Sequence, residues 1–146
     1  MASVEAGDMQ RFTKLRVWER SHAFALAAYH ETETFPRKEL FGITAQIRRA
    51  AVSVPCNIAE GSKRRHRHDY ARFLNIAEAS IAEVEALLMI CKDLGYLAPA
   101  RADRLLDEAD VIARMANTLR QSVESAARNE LRLVSASPPS LSTLNS

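Results

Sequence analysis

The chain has 146 residues, 47% of them hydrophobic and 26% charged, which is enough for one buried core and too little for two ordinary domains. Its 20 Lys and Arg against 18 Asp and Glu leave a net charge of only +2, a balance that by itself demands neither nucleic acid nor a membrane. No apolar run approaches the ~20 residues that span a bilayer, and the first ten residues carry Glu5 and Asp8 without the basic start and apolar stretch of a secretion signal. The expected compartment is the cytoplasm, with no membrane partner.

Four glycines and five prolines fall mostly where helical periodicity breaks, which makes them the punctuation of an all-helical chain. The first expected helix covers residues 14–34, where Leu15, Trp18, His22, Ala25 and Tyr29 step by three and four and Pro36 lies just beyond. The second covers residues 41–65, with Ile43, Ile47, Ala50, Val54 and Ile58 on one face. Pro55 lies inside it; proline cannot donate to the carbonyl of Ala51 and its ring crowds that carbonyl, so a kink is expected at residues 51–54. The third covers residues 68–94 and is stopped by Gly95. The fourth opens near Pro99, a favoured first-turn residue, and repeats at Leu105, Ala109, Ile112, Ala116, Leu119 and Val123.

Short connections predict sequential helices that pack antiparallel, giving an all-α, up-down-up-down four-helix bundle with a kinked second helix. The expected domain is residues 12–128, with residues 1–11 as a flexible N-terminus. From residue 129 to 146 the composition shifts to Ser, Pro, Thr and Leu, and a disordered tail is expected there.

The third helix is too apolar for one interface. Tyr70, Ala77, Val84 and Cys91 make one row, Phe73, Ser80, Leu87 and Leu94 a second, and Leu74, Ile81 and Leu88 a third, with Ile76 and Ile90 widening the arc. A helix on the outside of a bundle needs an apolar arc of roughly 100°. Either this helix is packed deeply in a monomer, or part of the arc is buried against another copy; the second reading makes the chain a homo-oligomer.

Charge is distributed unevenly. Between residues 37 and 72 stand Arg37, Lys38, Arg48, Arg49, Lys63, Arg64, Arg65, Arg67 and Arg72 against Glu39, Glu60 and Asp69, while the rest of the chain is net negative. The run Lys63, Arg64, Arg65, His66, Arg67, His68 joins helices two and three at a bundle end. It is either a solubilising loop or, repeated by an oligomer, a ring of positive charge that binds RNA or DNA phosphates without reading bases. The candidate contacts are Arg37, Lys38, Arg48, Lys63, Arg64, Arg65, Arg67 and Arg72. No aromatic residue interleaves with the run, so base stacking is not expected.

On the second helix Arg49, Ser53, Asn57 and Glu60 follow at spacings of four, four and three, a polar stripe beside an apolar face. It is either a satisfied network that fixes helix register, partnering carbonyls freed by Pro55, or a ligand-contacting surface. Cys56 and Cys91 sit in apolar patterns without metal-ligand spacing and read as buried small hydrophobes of a reducing compartment.

Enzyme chemistry has little foothold. His66, His68 and Asp69 sit in a basic loop that would repel a metal cation. Glu78, Glu83 and Glu85 lack the ExxH companions of di-iron bundles. There is no phosphate-cradling glycine loop and no HExxH. No catalytic residue, metal or cofactor is expected.

The blocks LRVW (Leu15 to Trp18), QIRRAAVSVPCNIAEG (Gln46 to Gly61) and FLNIAEAS (Phe73 to Ser80) together resemble the four-helix bundle proteins encoded in 23S rRNA intervening sequences, over Phe12 to about Val123. The resemblance implies a homopentameric barrel and carries no catalytic role. Accessory proteins of diversity-generating retroelements look like distant relatives, which implies a basic surface for nucleic acid and, as an alternative role, an adaptor to a reverse transcriptase or a structural scaffold. By position the resemblance nominates Arg48, Arg49, Ser53, Asn57, Glu60 and Gly61. The chain departs from the family at Ser62, commonly Phe or Tyr, and at His66, commonly a Ser or Thr cap, which makes the loop more basic.

Overall fold

The computed structural model describes residues 11–136 and 138. A 3-10 turn at Arg11–Lys14 leads into α1 (Arg16–Glu31), a second such turn at Arg37–Glu39 precedes α2 (Ile43–Ser62), and α3 (Arg67–Asp93) and α4 (Pro99–Ala136) follow. Among the described residues there is no strand, and the chain is all-α with four helices. The expected flexible N-terminus, residue 11 apart, and residues 137 and 139–146 of the expected tail lie outside the described residues.

α1 buries Val17, Ser21, Phe24, Ala25 and Ala28 along one face. It stops earlier than the sequence suggests: Thr32 N–H still reaches the Ala28 carbonyl, but the Glu33 amide turns to His30 at 3.3 Å, and the buried Thr32 hydroxyl donates to the last-turn carbonyls of Ala28 at 2.8 Å and Tyr29 at 3.2 Å. α2 is continuous through Pro55, whose ring is buried with Ile47, Ala50, Ala51, Val54 and Ile58. α3 ends on Leu94 and Gly95, the latter at φ +76°. Tyr96 N–H donates to the Cys91 carbonyl at 2.9 Å and Gly95 N–H to that of Lys92 at 3.1 Å, the paired bonds of a Schellman stop that a glycine permits without steric cost.

α4 corrects the sequence boundary. It continues past Arg128 to Ala136, because Asn129 to Ala136 contain neither glycine nor proline and the first proline is Pro138. Leu131, Leu133 and Val134 on that extension are all exposed.

The helices meet in register-specific pairs. Between α3 and α4, Lys92 Nζ reaches Asp103 Oδ1 at 2.6 Å, Arg120 reaches Glu78, and Arg67 reaches Glu130. Between α1 and α4, Arg20 meets Glu108 at 2.9 Å and Arg101 meets Glu31 at 3.3 Å. In each pair the residue numbers rise on one helix as they fall on the other. The core between them centres on Ile47, Ile58, Leu74, Leu88 and Ile112, each fully buried; burial of such a side chain stabilises by about 1.5–3 kcal/mol. Alanines at 50, 51, 77, 102, 109 and 116 line the contacts and let the helices approach closely.

Candidate functional site

The polar stripe of α2 divides. Ser53 Oγ lies 2.9 Å from Ser80 Oγ of α3, and Asn57 Nδ2 donates both to Ser53 Oγ at 2.9 Å and to the Ser53 carbonyl at 2.8 Å. These three side chains satisfy one another at the α2–α3 contact, where an unpaired polar atom would be costly. They do not serve the Ala51 carbonyl that Pro55 leaves without its amide: Asn57 reaches the carbonyl one turn above itself instead. Glu60 belongs to a different contact, accepting from Arg64 at 2.9 Å. Arg49 is exposed, without a hydrogen bond or ion pair among the described residues, and borders a groove of about 490 Å³ with Gln46, Ser53, Ser80 and Glu83.

Gly61 closes α2 against α3. A Cβ there would lie 2.7 Å from Phe73 Cβ and 2.9 Å from Tyr70 Cδ2, so the close approach of the two helices depends on the missing side chain.

The run 63–68 lies at the end of the bundle where Arg67 meets Glu130. Lys63 Nζ stands 5.7 Å from the Phe12 ring centroid, Arg64 lies 4.7 Å over Phe73, and Arg72 lies 5.5 Å over the same ring. The charged heads thus lie over aromatic faces while the side chains remain exposed to water. Arg64, Arg67 and Arg72 also have acidic neighbours in Glu60, Glu130 and Asp69, the last at a loose 3.9 Å. Exposed pairs of this kind are worth about 0–1 kcal/mol each, so they leave the cations open to competition by a polyanion. Arg65 is exposed and has no partner among the described residues. The aromatic rings beneath the cations come from outside the run, which its local sequence does not reveal.

Three of the expected basic contacts are elsewhere. Arg37 and Lys38 are exposed at the opposite end, beside the α3–α4 connection, where Phe35 packs on Tyr96 at 5.7 Å and Tyr96 Oη donates to Glu39 at 3.3 Å. The 20 residues of α2, about 30 Å at 1.5 Å per residue, separate them from Lys63. Arg48 is engaged at the C-terminus of α1: Nε donates to Thr32 Oγ1 at 2.9 Å, a terminal nitrogen reaches the Tyr29 carbonyl at 3.4 Å, and the guanidinium lies 4.8 Å over the Tyr29 ring. A cation there satisfies the carbonyl end of a helix. Conversely, Arg128 and, on the extension of α4 beyond it, Arg132 stand at the basic end; neither is among the contacts expected from the sequence, and Arg132 falls outside a domain ended at residue 128.

Cys56 corrects another expectation. It is exposed, whereas Cys91 is buried, and both thiols are free. Cys56 stands beside Val52 on the flank of α2, in an apolar groove of about 410 Å³ that also exposes Leu26 and Tyr29 of α1. The burial of Cys91 pushes its thiol up to about 11, with the charge of Glu39 adding to the shift.

The wide arc of α3 is split as well. Ala77, Val84, Cys91, Leu74, Ile81, Leu88 and Leu87 are buried, while Ile76, Met89, Ile90 and Leu94 are exposed, as is Phe41 before α2 at 93%. Among the described residues no three His, Cys, Asp or Glu side chains gather to hold a metal ion, and the His66 and His68 rings stack at 5.9 Å. No described helix is long and apolar enough to cross a membrane.

No curated protein matches the chain. Among solved structures the fold is similar to that of a protein of unknown function from the S23 ribosomal protein family of Bacteroides thetaiotaomicron, 22% identical, with a TM-score of 0.65 over 71% of this chain and 97% of that one. Residues 13–118 match the family described as 23S rRNA-intervening sequence protein, a stretch that holds every block quoted above and leaves the last turns of α4 outside. With the greater part of its length so matched, the chain belongs to the 23S rRNA-intervening sequence protein family.

Proposed function

We propose that this chain is a non-catalytic, self-associating, up-down-up-down four-helix bundle of the cytoplasm that binds the phosphate backbone of RNA or DNA through its basic end. The observation that carries the reading is the grouping of Lys63, Arg64, Arg65, Arg67 and Arg72 at one end, every one of them exposed. Their acidic neighbours are exposed or half-buried and weakly held, so a phosphate backbone gains the full charge of the end when it displaces them. Self-association rests on Ile76, Ile90 and Leu94 of α3, large apolar side chains outside the core. In a pentameric barrel each copy would repeat the basic end around a common axis and turn one cluster into a ring.

The test is fluorescence anisotropy with labelled duplex RNA, duplex DNA and single strands across a salt series. Four backbone contacts give a slope near −0.9 per contact on duplex DNA, so affinity falls about 150-fold between ~50 and ~200 mM salt. Changing Lys63, Arg64, Arg65 and Arg67 together to Ala removes most of that slope. Binding that ignores salt, or no binding to any of the three, overturns the reading and leaves a protein-interaction scaffold in its place.

A further inference from the structure

A groove of about 470 Å³ runs between the first turns of α3 and the part of α4 that lies beyond the family match. Its walls are two facing stripes, His68, Ala71, Arg72 and Asn75 on α3, and Glu124, Ala127, Arg128 and Leu131 on α4. Both have the i, i+3, i+4, i+7 spacing of a single helix face. The groove is open because its central residues, Ala71 and Ala127, end at Cβ while longer side chains stand at the rims.

The chemistry of the rims selects a ligand. Arg72 and Arg128 rise from opposite walls; Arg128 has no acidic partner among the described residues, and Arg72 holds Asp69 only at 3.9 Å. The Arg72 guanidinium rests over the Phe73 ring at 5.5 Å, on the α3 rim; an exposed side chain swung from there toward Arg128 sets two guanidinium groups on one phosphate, which offers oxygens to both. Toward the other end, Glu124 Oε1 accepts from Arg120 at 3.0 Å, which leaves Oε2 without a protein partner, and the exposed Asn75 amide has none among the described residues. A carboxylate there repels a second phosphate and accepts from sugar hydroxyls, as acidic residues do at ribose sites. The floor of Ala71 and Ala127 is apolar and leaves room for the face of a sugar, Leu131 stands as an apolar rim beyond Arg128, and the volume falls in the ordinary range for small ligands.

We propose that this groove binds one ribonucleoside monophosphate unit, its phosphate between Arg72 and Arg128 and its ribose hydroxyls on Glu124 and Asn75. The unit is either an end or unpaired nucleotide of an RNA strand, a form that rests on the backbone-binding reading above, or a free mononucleotide, which presents the same groups.

The test is a titration of the 15N-labelled full chain with adenosine 5′-monophosphate, 2′-deoxyadenosine 5′-monophosphate and inorganic phosphate, read from backbone amide shifts. Adenosine monophosphate is expected to move amides along residues 68–75 and 124–131 and to bind about tenfold more tightly than phosphate alone, the added contacts being to sugar and floor. The Arg72→Ala, Arg128→Ala pair weakens it by about tenfold or more. Glu124→Gln abolishes the preference for ribose over deoxyribose. Ala127→Phe fills the floor without changing charge, and it removes mononucleotide binding while salt-dependent strand binding through Lys63 to Arg67 persists; circular dichroism verifies its fold. Competition between a 5′-phosphorylated 12-nucleotide RNA and the mononucleotide assigns the strand as the source, and absence of competition assigns the free nucleotide. A wild-type chain that binds the mononucleotide but no strand supports the groove and sinks the backbone reading. No shift on the two stripes, equal affinity for adenosine monophosphate and phosphate, or unchanged binding in a folded Ala127→Phe variant overturns the proposal.

Discussion

Gly61 and Phe73 face each other across the α2–α3 contact so closely that a methyl group on the glycine would sit 2.7 Å from Phe73 Cβ. Neither atom belongs to a flexible tip, so the helices themselves must separate to admit it. Gly61→Ala gains up to about 1 kcal/mol of helix propensity but meets an overpacking cost of about 1–3 kcal/mol. A net loss of stability is expected, seen as a lower urea midpoint with an unchanged slope. A midpoint equal to or above wild type would show that the contact yields at no cost.

The Ser53, Asn57 and Ser80 cluster gives a second expectation. Asn57→Ala removes both donors that reach Ser53 and is expected to destabilise by about 1–2 kcal/mol. Because Ser53 also touches Ser80 at 2.9 Å, Asn57→Ala and Ser80→Ala should not add: a double-mutant cycle should return a coupling of about 0.5 kcal/mol or more. Strict additivity would mean that the three side chains act separately.

The two thiols are expected to differ sharply. Cys56 is exposed and should react with a thiol reagent in the native state, while Cys91 is buried with its thiol pushed up to about 11 and should react only after unfolding. One equivalent before denaturant and two after is the expected count. The sign of the pH effect follows from the raised value: the unfolded thiol ionises first, so the contribution of Cys91 is complete below its ordinary unfolded range and fades as pH climbs toward about 11. Cys91→Ser or Cys91→Ala should flatten the alkaline limb of the stability profile, and an unchanged limb would assign it to other groups.

Self-association is read directly from mass. Light scattering is expected to give a multiple of the 16.3 kDa chain mass. Ile76→Asp with Ile90→Asp places charge on the exposed flank of α3 without touching the buried rows, and it should lower the mass toward that of one chain while far-ultraviolet circular dichroism stays helical. A wild-type monomer would remove both the apolar interface and the ring.

The sequence by itself determined the helices and most of their inner faces. Periodicity marks Leu74, Ile81 and Leu88 as one row, and Gly95 and Pro99 mark the turn between α3 and α4, because local sterics and capping act through neighbours in the chain. The family was legible too, in blocks that the match over residues 13–118 contains. Where a helix ended was harder to read. α1 ends where the Tyr29 carbonyl and the Thr32 hydroxyl meet Arg48 from the next helix while the Glu33 amide turns to His30, and α4 runs to Ala136 because helix-forming residues persist after the pattern of burial has ceased. Tertiary structure alone decided which cations share a surface. Arg37 and Lys38 are close to Arg48 in sequence but lie at the far end from Lys63, Arg48 is turned to a helix terminus, and Arg128 is brought opposite Arg72 although 56 residues separate them. Charge placement has no periodic signature of its own. It is inherited from the direction in which each helix runs and the register in which it packs, and those are fixed by contacts such as Ser53 with Ser80 and Glu78 with Arg120, made between residues distant in the chain.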